Sequence, residues 1–541
     1  MRNTFFLIAL AVFLVSCASS EKKAESGLIT FIVRHERTVV PLSEQIDRAF
    51  WDYVQTGSES VRAKIDSLKA LKAEYLHNEK SFAYLKQLRQ TGVIQDEYLK
   101  RQLEILYRQY LPCQADMGLQ KRIGGLQSYL KNEVWKKTKD NHLYGQTDSS
   151  VSDPAFAGRK AMRDSLMLLV NLRNEWARQT GFSDYYAMQF FLHEQNPKTI
   201  DSLFSVLEWQ TGSAYFRIKK QVRNPVHYRG VFSQYGQRYD NLRRNNVYAY
   251  VNMPHLAIRF FSGIGFELED VLANSDFSRT DRKLPIVRCV PMNRKGDIRL
   301  VGRLNGTETD MLRLLACCGE AAYWKSIPGT LPYLLRSPSS FMLQVGVASF
   351  FSRLVGYPDW LLSMGIFSAG QAGGLRGSTQ KELVQEQLLF CRWALLMYHF
   401  ERSLYARPDS DLSALWIELN RRYLGRDCEQ EIRCKGRVCP RYARTAWVTA
   451  PYLLLEACQI HHYLLAELWA AQVTGYLCRT YPRLGNPCNP ELVGDEEVGA
   501  YFRKHVFEPG AGKHWEELTR QATGKDLSVE DFVEQFCQIK E

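Results

Sequence analysis

One segment, Thr309 to Trp324, constrains the fold most because it combines helical periodicity with a lone acid. Its apolar residues recur at roughly 3.6-residue spacing without an intervening proline, which predicts a buried helix. Glu320 lies near its centre, among small and apolar neighbours. A buried carboxylate is costly unless it is paired or protonated. We therefore predict that Glu320 has a partner, keeps its proton, or serves a function.

The composition is that of an ordinary globular protein. Of the 541 residues, 45% are hydrophobic and 24% are charged, so the chain can bury a large core and gives no indication of bulk disorder. This length allows two or more domains, or one large domain with two lobes. The formal net charge of +12 comes from basic residues that are scattered and mixed with acids along most of the chain. It favours solubility, and no nucleic-acid partner is predicted.

The N-terminus has the pattern of an export signal. An 11-residue apolar run, Phe5 to Val15, follows a charged start and is too short to span a membrane. The run ends in LVSC, which resembles the bacterial lipobox, where the cysteine becomes the lipidated first residue. We predict a lipoprotein signal peptide over 1–16, lipidation at Cys17, and attachment to a membrane of the bacterial cell envelope through this lipid. Ala18 favours the outer membrane over the inner one.

Polar residues and weak periodicity over 17–45 predict a tether, followed by a helical domain over 46–541. An exported chain can form disulfides, and three cysteines lie close together in a polar stretch. The possible disulfide set is Cys428, Cys434 and Cys439. The segment around them is rich in Lys and Arg. It is either a solvated loop or a patch that binds acidic ligands or lipid headgroups.

Most of the chain shows helical patterns, and one β element interrupts them. Two short strand-like runs within 286–304 are joined by NRKG, a sequence typical of a hairpin connection. The hairpin leads directly into the Thr309–Trp324 helix. A second buried helix, which contains Gln344, is predicted over Ser339–Leu354. The predicted fold class is mainly α, with one small antiparallel β element near 286–304.

One short motif needs to be distinguished from a metal site. His193-Glu194 opens like the HExxH signature of zinc proteases, but Pro197 occupies the place of the second histidine. The pair of histidines on one helix face is therefore missing, and HExxH occurs nowhere in the chain. We interpret this stretch as the C-terminal end of a helix.

Several segments, in order along the chain, resemble the angiotensin-converting-enzyme-like family of zinc peptidyl-dipeptidases. They extend over about residues 46–537 and include RNEWA and GFSDYY within 173–186, KLP and DIR within 283–299, RWALLMYHFE and PDSDLSALW within 392–416, PY, YLL and AAQ within 451–472, and W, ATG and L within 515–527. Their order and spacing together carry the resemblance. It implies a zincin-like, two-lobed helical fold around a deep central cleft, in which a hairpin leads into the helix of the metal site.

In that family, two histidines and a distant glutamate bind zinc, and the glutamate between the histidines is the general base. By resemblance, the first histidine position falls on Ala316, the base on Cys317 and the second histidine on Glu320. The third ligand falls on Gln344, whose neutral amide is a poor zinc ligand. We expect the Gln344 amide to donate a hydrogen bond to Glu320, because that pairing removes much of the cost of burying the acid.

The family's transition-state histidine and tyrosine fall on Thr445 and Leu455, so every chemical position has changed. We therefore expect no cofactor, no metal ligand and no catalytic residue. The leading hypothesis is a pseudopeptidase whose cleft binds a peptide or a partner protein. The alternative is an active metallopeptidase of the peptidyl-dipeptidase type with altered zinc ligands. Thiol chemistry at Cys317 or Cys318 is a third hypothesis, although buried inert thiols are the default.

Overall fold

The computed structural model describes residues 2–139, 153–221, 248–280, 282–284, 286–426, 433–434, 437–438, 444–450, 453 and 457–538. These residues form 19 α-helices and two small two-stranded sheets, so the prediction of a mainly α fold is confirmed. The helices are α1 (Arg2–Thr56), α2 (Glu59–Leu76), α3 (Glu79–Thr91), α4 (Glu97–Tyr110), α5 (Met117–Lys139), α6 (Asp153–Gln179), α7 (Tyr185–Leu192), α8 (Pro197–Gln221), α9 (Met253–Gly263), α10 (Glu269–Ala273), α11 (Glu308–Ser326), α12 (Phe341–Ser352), α13 (Pro358–Ser363), α14 (Ala369–Ala406), α15 (Leu412–Leu424), α16 (Ile460–Thr480), α17 (Glu496–Phe502), α18 (Trp515–Thr523) and α19 (Glu530–Cys537). The strands are β1 (Val287–Pro291), β2 (Ile298–Gly302), β3 (Arg433–Cys434) and β4 (Arg437–Val438).

Strands β1 and β2 form the predicted hairpin. They pair antiparallel, with Val287 opposite Gly302. The Asn293 side chain closes the turn, because its Oδ1 accepts hydrogen bonds from the backbone N–H groups of Lys295 and Asp297 at 2.9 and 3.1 Å. A second antiparallel ladder, β3 with β4, was not predicted. Strands of two residues are too short to show the alternation that identifies a strand in a sequence.

Caps fix where α11 and α12 begin. At α11, the Thr307 hydroxyl accepts from the N–H of Asp310 and the Asp310 carboxylate accepts from the N–H of Thr307, a capping box. At α12, the Ser340 hydroxyl accepts from the N–H of Leu343. Both helices lie close to their predicted bounds.

Helices α11, α12 and α16 pack together within the largest hydrophobic cluster of the described residues. Two glycines allow a close approach between them. A Cβ at Gly319 of α11 would overlap the ring of Phe351 on α12, and a Cβ at Gly346 of α12 would lie 2.7 Å from the Trp469 ring on α16. Close-packed interiors tolerate little added volume, so these contacts set the spacing of the three helices.

The prediction of a polar tether over 17–45 is wrong for the part whose side chains are described. From residue 21 onwards these residues continue α1, and Leu28 and Phe31 are 0% and 5% exposed. They pack in a second hydrophobic cluster with apolar residues of α2, α3 and α4. The buried positions of α1 recur at helical spacing, but polar runs between them conceal the pattern in the sequence. The predicted domain boundary at residue 46 falls inside α1.

Candidate functional site

The side chains of Glu320 and Gln344 meet where α11 packs against α12. Gln344 Nε2 donates a hydrogen bond to Glu320 Oε2 over 3.1 Å, which confirms the partner predicted for this acid. Each helix has a partly exposed stripe here, whereas most residues around it are buried. The stripes contain Ala316 and Glu320 on α11, and Gln344 and Ala348 on α12. We call these four residues the seam.

Glu320 is the ionisable group of the seam. Burial raises its pKa from 4.5 to about 7, while the hydrogen bond from Gln344 and the charge of Arg288 on β1 act in the opposite direction. The side chain keeps some exposed surface, so water or a ligand can reach it. Near neutral pH this carboxyl is therefore present in both protonation states. It can accept a hydrogen bond in one state and donate one in the other.

Two thiols lie close enough to Glu320 to sense its charge. Burial raises the pKa of Cys317 and of Cys289 on β1 well above the ordinary value, and the Glu320 charge acts in the same direction on both. Burial alone raises the pKa of Cys318. A thiol that keeps its proton is a poor nucleophile and a poor metal ligand. These cysteines therefore behave as small apolar side chains.

The residues at the predicted counterparts of the zinc site do not fit a zinc ion. Ala316 has no donor atom, and Cys317 offers at most one sulfur donor. Gln344 turns its NH₂ group, not its oxygen, towards Glu320. Zinc sites in proteins use three or four thiolate, imidazole or carboxylate donors, and one carboxyl with one thiol falls short of that. Nowhere in the described part of the chain do three or more His, Cys, Asp or Glu side chains form a group that could hold a metal ion.

The two remaining counterparts are Thr445 and Leu455. Thr445 is partly exposed and precedes a short 3₁₀-helix, Ala446–Thr449. Leu455 lies outside the described residues. The structure therefore brings together the counterparts on α11 and α12, and their relation to the last two stays a prediction.

The structure describes little of the three cysteines in the possible disulfide set. Cys428 and Cys439 lie outside the described residues, and for Cys434 the structure gives its backbone position in β3. The disulfide set and the basic patch around it stay predictions. So does lipidation of Cys17, which belongs to α1. Among the described helices, none combines the length and the apolarity that crossing a membrane requires.

A buried chain of polar side chains beside the start of α16 was not predicted. Tyr186 Oη is hydrogen-bonded to His461 Nδ1 over 2.9 Å, and His461 Nε2 to Gln195 Oε1 over 2.6 Å. Gln195 Nε2 continues the chain to His462 Nδ1 over 3.0 Å. Burial lowers the pKa of both histidines well below the ordinary value, so both imidazoles are neutral. Two adjacent histidines in an otherwise apolar helix were the signal for this network in the sequence.

The proton positions in this chain follow from its partners. An amide oxygen accepts and an amide nitrogen donates, so both imidazoles carry their proton on Nε2. In the described structure, His462 Nε2 has no partner. The network links α7, the loop after it and α16. The buried N–H of His462 without an acceptor lowers the stability of the folded state.

The stretch that begins like a zinc-protease motif is the end of a helix, as predicted. Helix α7 ends at Leu192, and His193 is its C-cap. Glu194 has a positive φ of 58°, and its carboxylate forms ion pairs with Arg101 and Arg108 of α4. The carboxylate is therefore engaged in joining α4 to this loop.

Neither a scan against models of known protein families nor a search of curated proteins finds a match for this chain. The resemblance to the peptidyl-dipeptidase family stays a prediction from the sequence segments. The structure contributes the mainly helical fold, the hairpin before α11, and the acid–amide pair between α11 and α12.

Proposed function

We propose that this chain is a non-catalytic relative of the zinc peptidyl-dipeptidases, a pseudopeptidase that binds an extended peptide segment along the seam. The segment belongs to a free peptide or to a partner protein. One observation carries the proposal. At two positions where the resemblance expects zinc ligands, an acid and an amide are hydrogen-bonded to each other.

The pair offers the groups that a peptide backbone needs. Each peptide unit presents one N–H donor and one C=O acceptor. Among the described residues, no partner occupies Glu320 Oε1 or Gln344 Oε1, so both oxygens can accept from a ligand N–H. The second hydrogen on Gln344 Nε2, or the protonated form of Glu320, can donate to a ligand carbonyl. Ala316 and Ala348 each lie one helical turn from a member of the pair and are partly exposed, so the side chains beside it are small.

Affinity selection of a random peptide library on the immobilised full chain tests this binding. Ala316→Trp fills the seam one helical turn from Glu320 and should abolish the enrichment of peptides. Ala414→Trp places the same side chain on the exposed surface of α15 and should enrich the same peptides as the wild type. Thermal unfolding of both variants verifies that they fold. Unchanged enrichment by a folded Ala316→Trp protein would contradict the seam as the binding site.

The same preparations separate this proposal from an active metallopeptidase with altered zinc ligands. Elemental analysis of protein produced with added zinc should give far less than one zinc per chain, and no dipeptides should be released from the library. Stoichiometric zinc together with dipeptide release would establish the alternative. Alkylation of Cys317 and Cys318 in the native protein should be slow, because both thiols keep their protons. Fast alkylation would favour thiol chemistry.

Export and lipid anchoring are part of the proposal. They are supported by the apolar run from Phe5 to Val15 and by the LVSC sequence that ends at Cys17. Helix α1 continues from Cys17 into the folded body, so a lipid there would hold the protein close to a membrane, with the outer membrane favoured. Growth with a radioactive fatty acid should label the wild type and leave Cys17→Ser unlabelled. Equal labelling of the two proteins would exclude this anchor.

A further inference from the structure

A groove lies between the first three long helices, far from the seam in sequence. Its volume is about 790 Å³, within the range of pockets that hold small molecules. Phe31 of α1, Tyr75 of α2 and Tyr84 of α3 supply its aromatic lining. The Phe31 ring is buried and the two tyrosines are partly exposed, so the aromatic surface is accessible from the groove.

A glycine allows α3 to reach across α1 at this groove. A Cβ at Gly27 would lie 2.8 Å from the Tyr84 hydroxyl oxygen, so a larger residue would push that ring away. Glycine is unfavourable inside a helix. At this position it permits the contact that shapes one wall of the groove.

The groove carries charges of both signs. Arg34 of α1 and Lys80 of α3 line it as cations, and Glu74 of α2 lines it as an anion. All three are exposed, and within the described residues none of them forms an ion pair. The Arg34 guanidinium lies over the Phe31 ring, 5.4 Å from its centroid, which holds this cation against the aromatic lining.

His77 adds a hydrogen-bond acceptor to the lining. Its Nδ1 lies 2.6 Å from the carbonyl oxygen of Cys113. Since a carbonyl accepts, Nδ1 carries the proton and Nε2 is left as an acceptor. The groove therefore has cationic donors on Arg34 and Lys80, and acceptors on Glu74 and His77.

We propose that this groove binds a zwitterionic group that carries a phosphate and a primary ammonium, as phosphoethanolamine does. Arg34 and Lys80 bind the phosphate, whose oxygens face several directions and can take donors from two helices. Glu74 and His77 accept hydrogen bonds from the ammonium, and the tyrosine rings attract its charge. This site is independent of the function proposed for the seam.

Two sources can supply this chemistry, a membrane phospholipid or a free zwitterion. Cys17 and Gly27 both belong to α1, and ten residues of helix extend about 15 Å. A lipid attached at Cys17 would therefore place the groove near a membrane surface, which favours the phospholipid.

Isothermal titration calorimetry on the full chain uses four probes: phosphoethanolamine, inorganic phosphate, ethanolamine, and dihexanoyl phosphatidylethanolamine below its micelle-forming concentration. Phosphoethanolamine should bind about tenfold or more tightly than phosphate or ethanolamine, because it alone engages both kinds of charged group. Tighter binding of the short-chain lipid than of phosphoethanolamine supports the groove as a phospholipid site. Equal binding of the two supports a site for the free zwitterion.

Variants locate the binding. Arg34→Gln and Glu74→Gln should each weaken phosphoethanolamine binding about tenfold or more, because each removes one charge-assisted contact. Arg37→Gln changes an exposed cation of α1 outside the groove and should leave binding unchanged. Gly27→Ala displaces the Tyr84 ring and should weaken binding without removing a charge. The proposal is overturned if phosphoethanolamine does not bind at millimolar concentration, if phosphate alone binds equally well, or if both charge variants bind like the wild type.

Discussion

Replacing Glu320 with glutamine removes a group whose ionisation opposes folding. The folded chain raises the Glu320 pKa from 4.5 to about 7, so the folded state holds this proton more tightly than the unfolded state does. The difference corresponds to about 3 kcal/mol of free energy. The amide of glutamine has nearly the same shape and does not ionise. The variant should therefore escape this cost at high pH.

The sign follows from where each state loses its proton. Below pH 4.5 the carboxyl is protonated in both states, so its ionisation has no effect on the free energy of unfolding. Between pH 4.5 and about 7 the unfolded chain loses the proton first, and the wild type becomes less stable as pH rises. Above that range both states are ionised, and the full cost of about 3 kcal/mol is present.

Urea unfolding followed by circular dichroism at about pH 5 and about pH 9 measures the effect. Relative to the wild type, Glu320→Gln should gain most of the roughly 3 kcal/mol between the two conditions. Glu491→Gln changes an exposed acid and should show no such gain. Gln344→Leu removes the hydrogen bond that favours the ionised form, so it should make the loss of stability at high pH larger. If Glu320→Gln and Glu491→Gln respond alike to pH, the raised pKa of the partly buried Glu320 is refuted.

Three further changes test the packing around the seam and α1 by their effect on the free energy of unfolding in urea. Gly319→Ala would place a Cβ too close to Cδ2 of Phe351 and should cost about 1–3 kcal/mol, part of which Phe351→Leu should restore in the double variant. Glu467→Gln should cost about 3–5 kcal/mol, because it removes the ion-pair partner of the buried Arg353 guanidinium. Replacing both partners with apolar residues should cost less. Leu28→Ala should cost about 2–5 kcal/mol, whereas an unchanged urea midpoint would refute the packing of α1.

Local signals were enough to predict the elements around the seam. Apolar spacing predicts α11 to within two residues at each end. The two residues of its capping box, Thr307 and Asp310, lie three positions apart, so this signal is also local. The hairpin before it is similarly local, because the turn is closed by Asn293 within its own connection. The Glu320–Gln344 contact required the resemblance, since periodicity does not show which two helices meet.

The features that were missed depend on contacts between distant parts of the chain. The burial of α1 arises from α2, α3 and α4, and its own sequence carries too many charges between the apolar residues to reveal it. In the buried polar network, His461 is hydrogen-bonded to Gln195, which lies 266 positions earlier in the chain. A glutamine that satisfies two buried histidines looks like any surface glutamine in a single sequence. Contacts of this kind depend on tertiary packing, and the local sequence pattern carries no information about that packing.

The packing also indicates why the acid at the seam calls for a functional explanation. Gly319 sets the distance between α11 and α12, and Gly346 sets the distance between α12 and α16, through contacts with aromatic rings. The helices would therefore keep their spacing without the hydrogen bond between Glu320 and Gln344. Ionised Glu320 lowers the free energy of unfolding at pH values above its raised pKa. The packing of the three helices does not require this residue. The binding site proposed at the seam would explain why the chain keeps a partly exposed acid that opposes folding and that the packing does not need.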